Sequence, residues 1–215
     1  MVLGIDTSGE NLGLAICQDG DIMFSSLSRP GLRHGEIIQK VTKDFLLKNR
    51  ISFNDLSGVS VTIGPGSFTG LRIGLSAAKG YSYSLGIPLA GVSTLLAGAY
   101  AFANLDKRVF VVIDAKRKEY YWAIFDCSDE YPKRLSRDSV GSIADLKEMV
   151  SDDIIFFGPS HIEKLFLSEF EGCEYRVSDN FNLADTASYL GEQDIKNRRN
   201  IDAAVVVPFY LRSRF

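Results

Sequence analysis

Two stretches of this chain bring together the small and hydroxyl-bearing residues that phosphate chemistry uses. Asp6-Thr7-Ser8-Gly9 follows the apolar run VLGI, so its hydroxyls and backbone N–H groups stand at the end of a buried strand. There they serve either an anion or the closing of a hairpin turn, and the residues alone leave both readings open. The second stretch is GPGSFTGLRIG, Gly64 to Gly74, in which Gly64, Gly66 and Ser67 form a glycine-rich turn running into a helix. Free N–H groups and the positive end of the helix dipole suit a phosphate at such a start. The Walker spacing and its lysine are missing. Gly70 and Gly74 lie four apart, with Ala77 and Ala78 a turn further on, which leaves one face of the helix nearly bare. Such a face lets another helix come close, from a partner or from within the chain, so packing is favoured over ligand binding. On the partner reading, Gly74→Leu blocks pairing and leaves the lobe folded.

Metal and nucleophile chemistry find less support. A helix that offers a metal commonly carries two histidines at i and i+4. Here His34 is followed at that spacing by Ile38, and the only other histidine, His161, stands in the GPSH turn of the second half. No metal site is predicted, and each histidine reads as a cap or a surface residue. The segment Asp114-Ala115-Lys116-Arg117-Lys118-Glu119 sits where a two-lobed phosphotransferase would place its second phosphate loop, but it has no glycine. Its three cations can attract a phosphate from side chains, and a solvated hairpin tip is the favoured reading. With two histidines, nothing singles out a base for a nucleophile, and none of the 27 carboxylates is distinguished as an acid or base. Cys17, Cys127 and Cys173 show no CxxC spacing and read as reduced thiols, not as a disulfide framework or a zinc site.

The elements that must position these residues follow from patterning. The chain has 215 residues, 46% apolar and 24% charged, which suits one large domain or two small ones that share a core. No apolar run reaches the roughly 18 residues of a membrane span, and the start goes directly into VLGIDTS, so a cytoplasmic location is expected. A net charge of -3 supplies no field to hold nucleic acid, so such a contact needs a partner. Strands are predicted over Val2 to Asp6, Asn11 to Cys17 and Asp21 to Leu27, with a turn at Asp19-Gly20, as an antiparallel meander. Ile37, Ile38, Val41 and Phe45 predict a one-sided helix over residues 34 to 49. A strand over Val59 to Ile63, a second helix over Phe68 to Leu85, a short strand in IPLAGV and an Ala-rich helix over Thr94 to Ala103 capped by Ser93 complete the first half.

After Asn104 the plan starts again. VLGIDTSGENLGLAIC lines up without gaps against FVVIDAKRKEYYWAIF, placing Asp6 on Asp114 and Ala15 on Ala123, and VTIGPGS is echoed by IFFGPSH. The expectation is a two-lobed α/β duplication of a βββαβα unit, with lobes over residues 1–103 and 104–215.

The segments IDTSGENLGLAI, RHGE, TIGPGSFTGLRIG, GIPLAGVSTL, IDAKRKEYYWAIF and PFYLRSRF resemble the TsaB (YeaZ-like) family, nearly end to end and most densely over residues 2 to 123. The resemblance implies an actin-like, sugar-kinase-like duplicated fold with a reduced second lobe. It implies a non-catalytic partner in making threonylcarbamoyladenosine next to the tRNA anticodon, paired with a TsaD-type catalytic subunit and a TsaE-type ATPase. The related TsaD carries its metal on a helical His-x-x-x-His pair, where this chain has His34 and Ile38. A homodimer of the lone chain and the heterodimer with TsaD are expected through the helices at 34 to 49 and 67 to 85, which hold His34, Ile38, Val41, Gly70, Arg72, Gly74, Ala77, Ala78 and Tyr81. Asp6, Thr7, Ser8, Gly64, Gly66 and Ser67 are then a vestigial or interface nucleotide site. No cofactor is bound tightly by the chain alone, ATP or ADP sits at the interface with partners, and tRNA is met only through the complex. The alternative is a small-molecule kinase or ATPase built around Asp6, Thr7 and the Gly64 to Ser67 loop, against which the lack of glycine at 115 to 118 argues. A metallopeptidase needs ligands the sequence does not supply.

Overall fold

The computed structural model describes residues 1–30, 33–150, 154–199 and 202–211, so the last four residues of the PFYLRSRF ending lie outside the described residues. The chain forms two compact units. The first comprises Met1–Ala97 with Asn182–Phe209, and the second Gly98–Phe181 with the chain end from Tyr210.

The first unit is built on β1 (Val2–Asp6), β2 (Leu12–Gln18) and β3 (Asp21–Ser28), an antiparallel meander, followed by β4 (Gly58–Gly64) and β5 (Leu89–Ser93), which run parallel to β1. The sheet order is β3-β2-β1-β4-β5. Asp19 and Gly20 both take positive φ (55° and 92°) in the two-residue turn between β2 and β3, as a primed hairpin turn requires. Alternation along the strands serves two faces. Leu3, Ile5, Val59 and Val61 join one apolar core with Ile38, Phe45 and Leu46 of α1 (His34–Lys48) and Leu75, Ala77 and Ala78 of α2 (Phe68–Leu85). The α2 helix stops at Gly86, whose φ of 65° gives the left-handed cap. The Ser93 hydroxyl accepts the amide of Leu96 (3.3 Å) at the start of α3 (Thr94–Tyr100).

In the second unit β6 (Arg108–Lys116) and β7 (Glu119–Asp126) form an antiparallel pair. The short β8 (Lys133–Arg134) and β9 (Ser139–Gly141) pair with β7 on its far side. After α4 (Ile143–Lys147), β10 (Ile154–Gly158) lies parallel to β6, and after α5 (Ser160–Glu169), β11 (Glu174–Val177) lies parallel to β10. The order β11-β10-β6-β7 repeats β5-β4-β1-β2, with β8 and β9 in the place of β3. The duplication is therefore present, and its second copy is reduced: α4 has 5 residues where α1 has 15, and α5 has 10 where α2 has 18.

Two expectations need correction. The division does not fall at 103/104, because α6 (Leu183–Lys196), an unpredicted helix, returns to the first sheet. It packs on the face opposite α1 and α2, where the sites of absent side chains on Gly4 and Gly191 are filled by Ser188 and Ser60, and the Ser60 hydroxyl donates to the Ala187 carbonyl (2.6 Å). Small residues on both partners let helix and sheet approach this closely. The gapless alignment also slips by one residue. Asp6 pairs with Gly13 but Asp114 with Tyr120, so equating the two aspartates sets Ala15 on Trp122.

Candidate functional site

Asp6 closes β1 as a buried carboxylate whose Oδ1 accepts the Ser8 amide (3.1 Å), the Ser8 hydroxyl (2.7 Å) and the Thr62 hydroxyl (2.6 Å). Burial pushes the Asp6 carboxyl above the usual carboxylate range, against the hydrogen bonds of Thr62 and Ser8 and the nearby His34, which favour the ionised form. The Thr7 hydroxyl donates to the Gly70 carbonyl (2.8 Å) in the first turn of α2. The Ser67 amide donates to the Ser8 carbonyl (2.7 Å), and the Ser67 side chain caps α2 by accepting the Gly70 amide (3.2 Å). Gly66 lies against the Ser8 backbone. The structure brings Asp6, Thr7, Ser8, Gly66 and Ser67 close together, but the Ser8 hydroxyl and amide are bonded to Asp6, the Thr7 hydroxyl to the Gly70 carbonyl, the Ser67 amide to Ser8 and the Gly70 amide to Ser67. A phosphate at this helix start would have to displace those bonds. Those bonds run within the loop, so the loop closes on itself.

The small face of α2 turns inward. The Thr7 carbonyl occupies the space a Cβ on Gly70 would need, and the Thr7 hydroxyl that of Gly74, while Ala77 and Ala78 are buried in the core. The neighbour that comes close is internal, so these four residues present no surface to a partner. His34 and Ile38 are buried as well. His34 is neither a cap nor a surface residue, since its Nε2 lies 3.0 Å from the Asn11 carbonyl at the β1–β2 turn. Val41 is half-buried against the core, and Tyr81 is half-buried with its hydroxyl donating to Gln39 (2.7 Å) and its ring 5.4 Å from Phe53. Among the predicted interface residues Arg72 is exposed, its guanidinium 3.8 Å above the Phe68 ring. It borders a groove of about 360 Å³ with Phe68, Thr69, Ile73 and Ser76. Residues 69, 72, 73 and 76 were legible as the helical face complementary to 70, 74, 77 and 78.

In the second unit, Lys116, Arg117 and Lys118 all adopt positive φ, between 59° and 65°, at the tip of the β6–β7 hairpin. Asp114 accepts the Lys116 amide (2.7 Å) and ammonium (3.0 Å) and faces His161 Nε2 at 2.7 Å. Burial would raise the Asp114 carboxyl, but His161 and Lys116 outweigh it and hold it below the usual range. At the start of α5 the carboxylate of Asp179 accepts the Ser160 amide (3.0 Å) and hydroxyl, so the chain supplies its own anion at that helix end. Nothing in the sequence marked Asp179, which reaches Ser160 from a loop 19 residues on. Burial pushes the Cys17 thiol up to about 11 and the Cys127 thiol up to about 12, which leaves both as thiols at neutral pH. All three cysteines are free, and among the described residues no group of three or more metal-binding side chains is placed to hold an ion.

Comparison with known proteins gives this architecture a family. A family model described as TsaD, tRNA N6-adenosine threonylcarbamoyltransferase, matches residues 31–195. The tRNA threonylcarbamoyladenosine biosynthesis protein TsaB of Bacillus subtilis is 26% identical over 218 residues, covering 98% of this chain and 93% of that protein. TsaB of Escherichia coli is 36% identical over 125 residues, covering 57% of this chain and 53% of that protein. Among solved structures, YeaZ from Pseudomonas aeruginosa superimposes with a TM-score of 0.80 at 22% identity, over 98% of this chain and 99% of that one. An activator of 2-hydroxyisocaproyl-CoA dehydratase from Clostridium difficile, with bound ADPNP, gives 0.57 at 14% identity, over 92% and 96%. These likenesses show the actin-like duplicated fold, and the sheet orders of the two units are its repeat. The match of the TsaD model over most of the chain, joined to the TsaB relatives and the fold of YeaZ, places this chain in the TsaB/YeaZ family.

Proposed function

We propose that this chain serves tRNA threonylcarbamoyladenosine biosynthesis as a non-catalytic scaffold that pairs with a TsaD-type catalytic subunit and, through that pair, with a TsaE-type ATPase. The observation that carries the reading is the state of its helix starts. The Thr7 hydroxyl is spent on the Gly70 carbonyl of α2, the Ser8 hydroxyl on Asp6 and the Ser67 amide on the Ser8 carbonyl, and Asp179 fills the start of α5. A chain built to transfer a group would keep those donors turned to a ligand. Its contribution lies instead in the exposed side of α2 around Arg72, through which it shapes a partner. On this reading the lone chain is a homodimer, ATP or ADP sits at the interface with partners, and tRNA is met through the complex, in the cytoplasm. No helix among the described residues is long and apolar enough to cross a membrane.

The test is threonylcarbamoyladenosine formation on tRNA by TsaD, TsaE and the carbamoyl-adenylate supplier, with and without this chain. Activity that requires the chain, while the chain alone neither turns over ATP nor modifies tRNA, is the expected result. Modification indifferent to the chain, together with ATP hydrolysis or ATP-induced thermal stabilisation of the chain alone, would replace the scaffold with the kinase-like reading.

A further inference from the structure

Beyond α6 the chain comes back to the face of the first sheet that carries α1 and α2. Ala203 and Val206 are buried in that core, and a Val206 methyl lies 2.9 Å from where a Cβ on Gly91 of β5 would stand. Three residues later the Phe209 amide donates to the Ile63 carbonyl (2.7 Å). The Phe209 carbonyl lies 2.5 Å from where a Cβ on Gly64 would stand, and Gly64 itself has a φ of 120°, so both the space and the backbone at residue 64 admit only glycine. On either side of Val206, Val205 and Val207 are 67% and 61% exposed, and a groove of about 310 Å³ remains among Ile63, Gly91 and residues 205–209. The segment is therefore held by Ala203 and Val206 in the core and by Phe209 on Ile63, with Val205 and Val207 between and beside them turned to solvent.

The Phe209 contacts sit on the end of β4 that feeds the glycine loop, and Val206 sits beside it, on Gly91 of β5. Ile63 and Gly64 lead within three residues to Ser67, whose amide is bonded to Ser8 and whose side chain caps α2 beside the Phe68–Ser76 groove. We infer that residues 203–209 are a strap that positions the Gly64–Ser67 loop, and through the Ser67 cap the first turn of α2, from the far end of the chain. Its consequence for pairing rests on the scaffold reading of α2; the strap itself does not.

The experiment is amide hydrogen exchange on the full chain, comparing wild type with Phe209→Pro, which lacks the donated N–H, Val206→Ala, which shortens the buried anchor, and Val205→Ala, which alters an exposed neighbour. The expected result is exchange about tenfold faster at Ser67, Gly70 and Leu71 in the first two variants, the scale of one net hydrogen bond. Amides of β1 and β2 should be unchanged, and Val205→Ala should match wild type throughout. Unaltered exchange at Ser67 and Gly70 overturns the strap, and so does an equal rise in β1 and β2, because residues 203–209 would then be ordinary core. Binding of TsaD by the same variants separates the two readings: a loosened loop with unchanged affinity keeps the strap and removes the α2 partner surface.

Discussion

Thr7 decides what can stand at residues 70 and 74. Its carbonyl and hydroxyl fill the volumes that side chains there would take, so the helix comes down on the β1 turn at backbone contact. Gly74→Leu is accordingly a folding lesion and not the clean block to pairing that the bare face suggested. Gly74→Ala is expected to cost about 1–3 kcal/mol through overpacking, read from urea unfolding, and Thr7→Ala should restore part of that loss by removing the hydroxyl. Gly70→Ala should gain nothing from Thr7→Ala, since the obstacle there is backbone. Asp6 gives a second residue-scale prediction. Burial raises its folded pKa above the ordinary carboxylate range, so the native state holds the proton more tightly than the unfolded chain does. The sign of the linkage is then a stability that falls as pH rises from about 4 through the folded pKa. Asp6→Asn keeps an acceptor oxygen and removes the charge, so its melting temperature is expected to vary less over that window, as circular dichroism melts from about pH 4 to 7 will show.

At the scale of elements, α6 ties the chain's second crossing of the first unit to its opening hairpin. Glu192 is the clamp: its carboxylate accepts the amides of Asp19 (2.8 Å) and Gly20 (2.9 Å) at the β2–β3 turn and the Lys196 ammonium (3.0 Å). Burial would raise the Glu192 carboxyl, but Lys196 and the two amides outweigh it and hold it below the ordinary carboxylate range. The stabilisation is thus complete above about 4.5 and is lost as pH falls through the lowered folded pKa. Glu192→Gln is expected to lose about 1–3 kcal/mol at neutral pH by urea unfolding, with the difference from wild type shrinking in acid below the folded value. A gap that persists in acid would mean that the amide contacts, not the charge, hold the turn. The β6–β7 hairpin shows the same lesson in register: dipeptide echoes located the repeat, while the one-residue slip depends on a tight turn whose three consecutive left-handed residues are Lys, Arg and Lys.

For the whole molecule, the scaffold reading makes the outward side of α2 the proposed partner surface. The outward side of α2 has Thr69, Arg72 and Ser76 exposed beside the half-buried Phe68 and Ile73, a face that a neighbouring helix can cover. Ser76→Trp fills the groove without touching the core. It is expected to weaken pairing with TsaD at least about tenfold while leaving unfolding within roughly 0.5 kcal/mol of wild type. Unchanged affinity by calorimetry would move the interface off this face.

Much of this was readable without coordinates, for a physical reason. The bounds of α2, the Ser93 cap, the Asp19-Gly20 turn and the repeat of strand, turn and strand are set by residues a few positions apart, where periodicity and backbone sterics act alone. The replacement of a second helical histidine by Ile38 is likewise a local fact. Which way the small face of α2 turns was not local, because bareness invites any close neighbour, and Thr7, more than sixty residues away in sequence, took the place. The same holds for α6 on the first sheet, for Asp179 at the start of α5 and for Phe209 on Gly64. Each depends on chain segments meeting across long separations, and only the tertiary structure decides which of the many compatible meetings occurs.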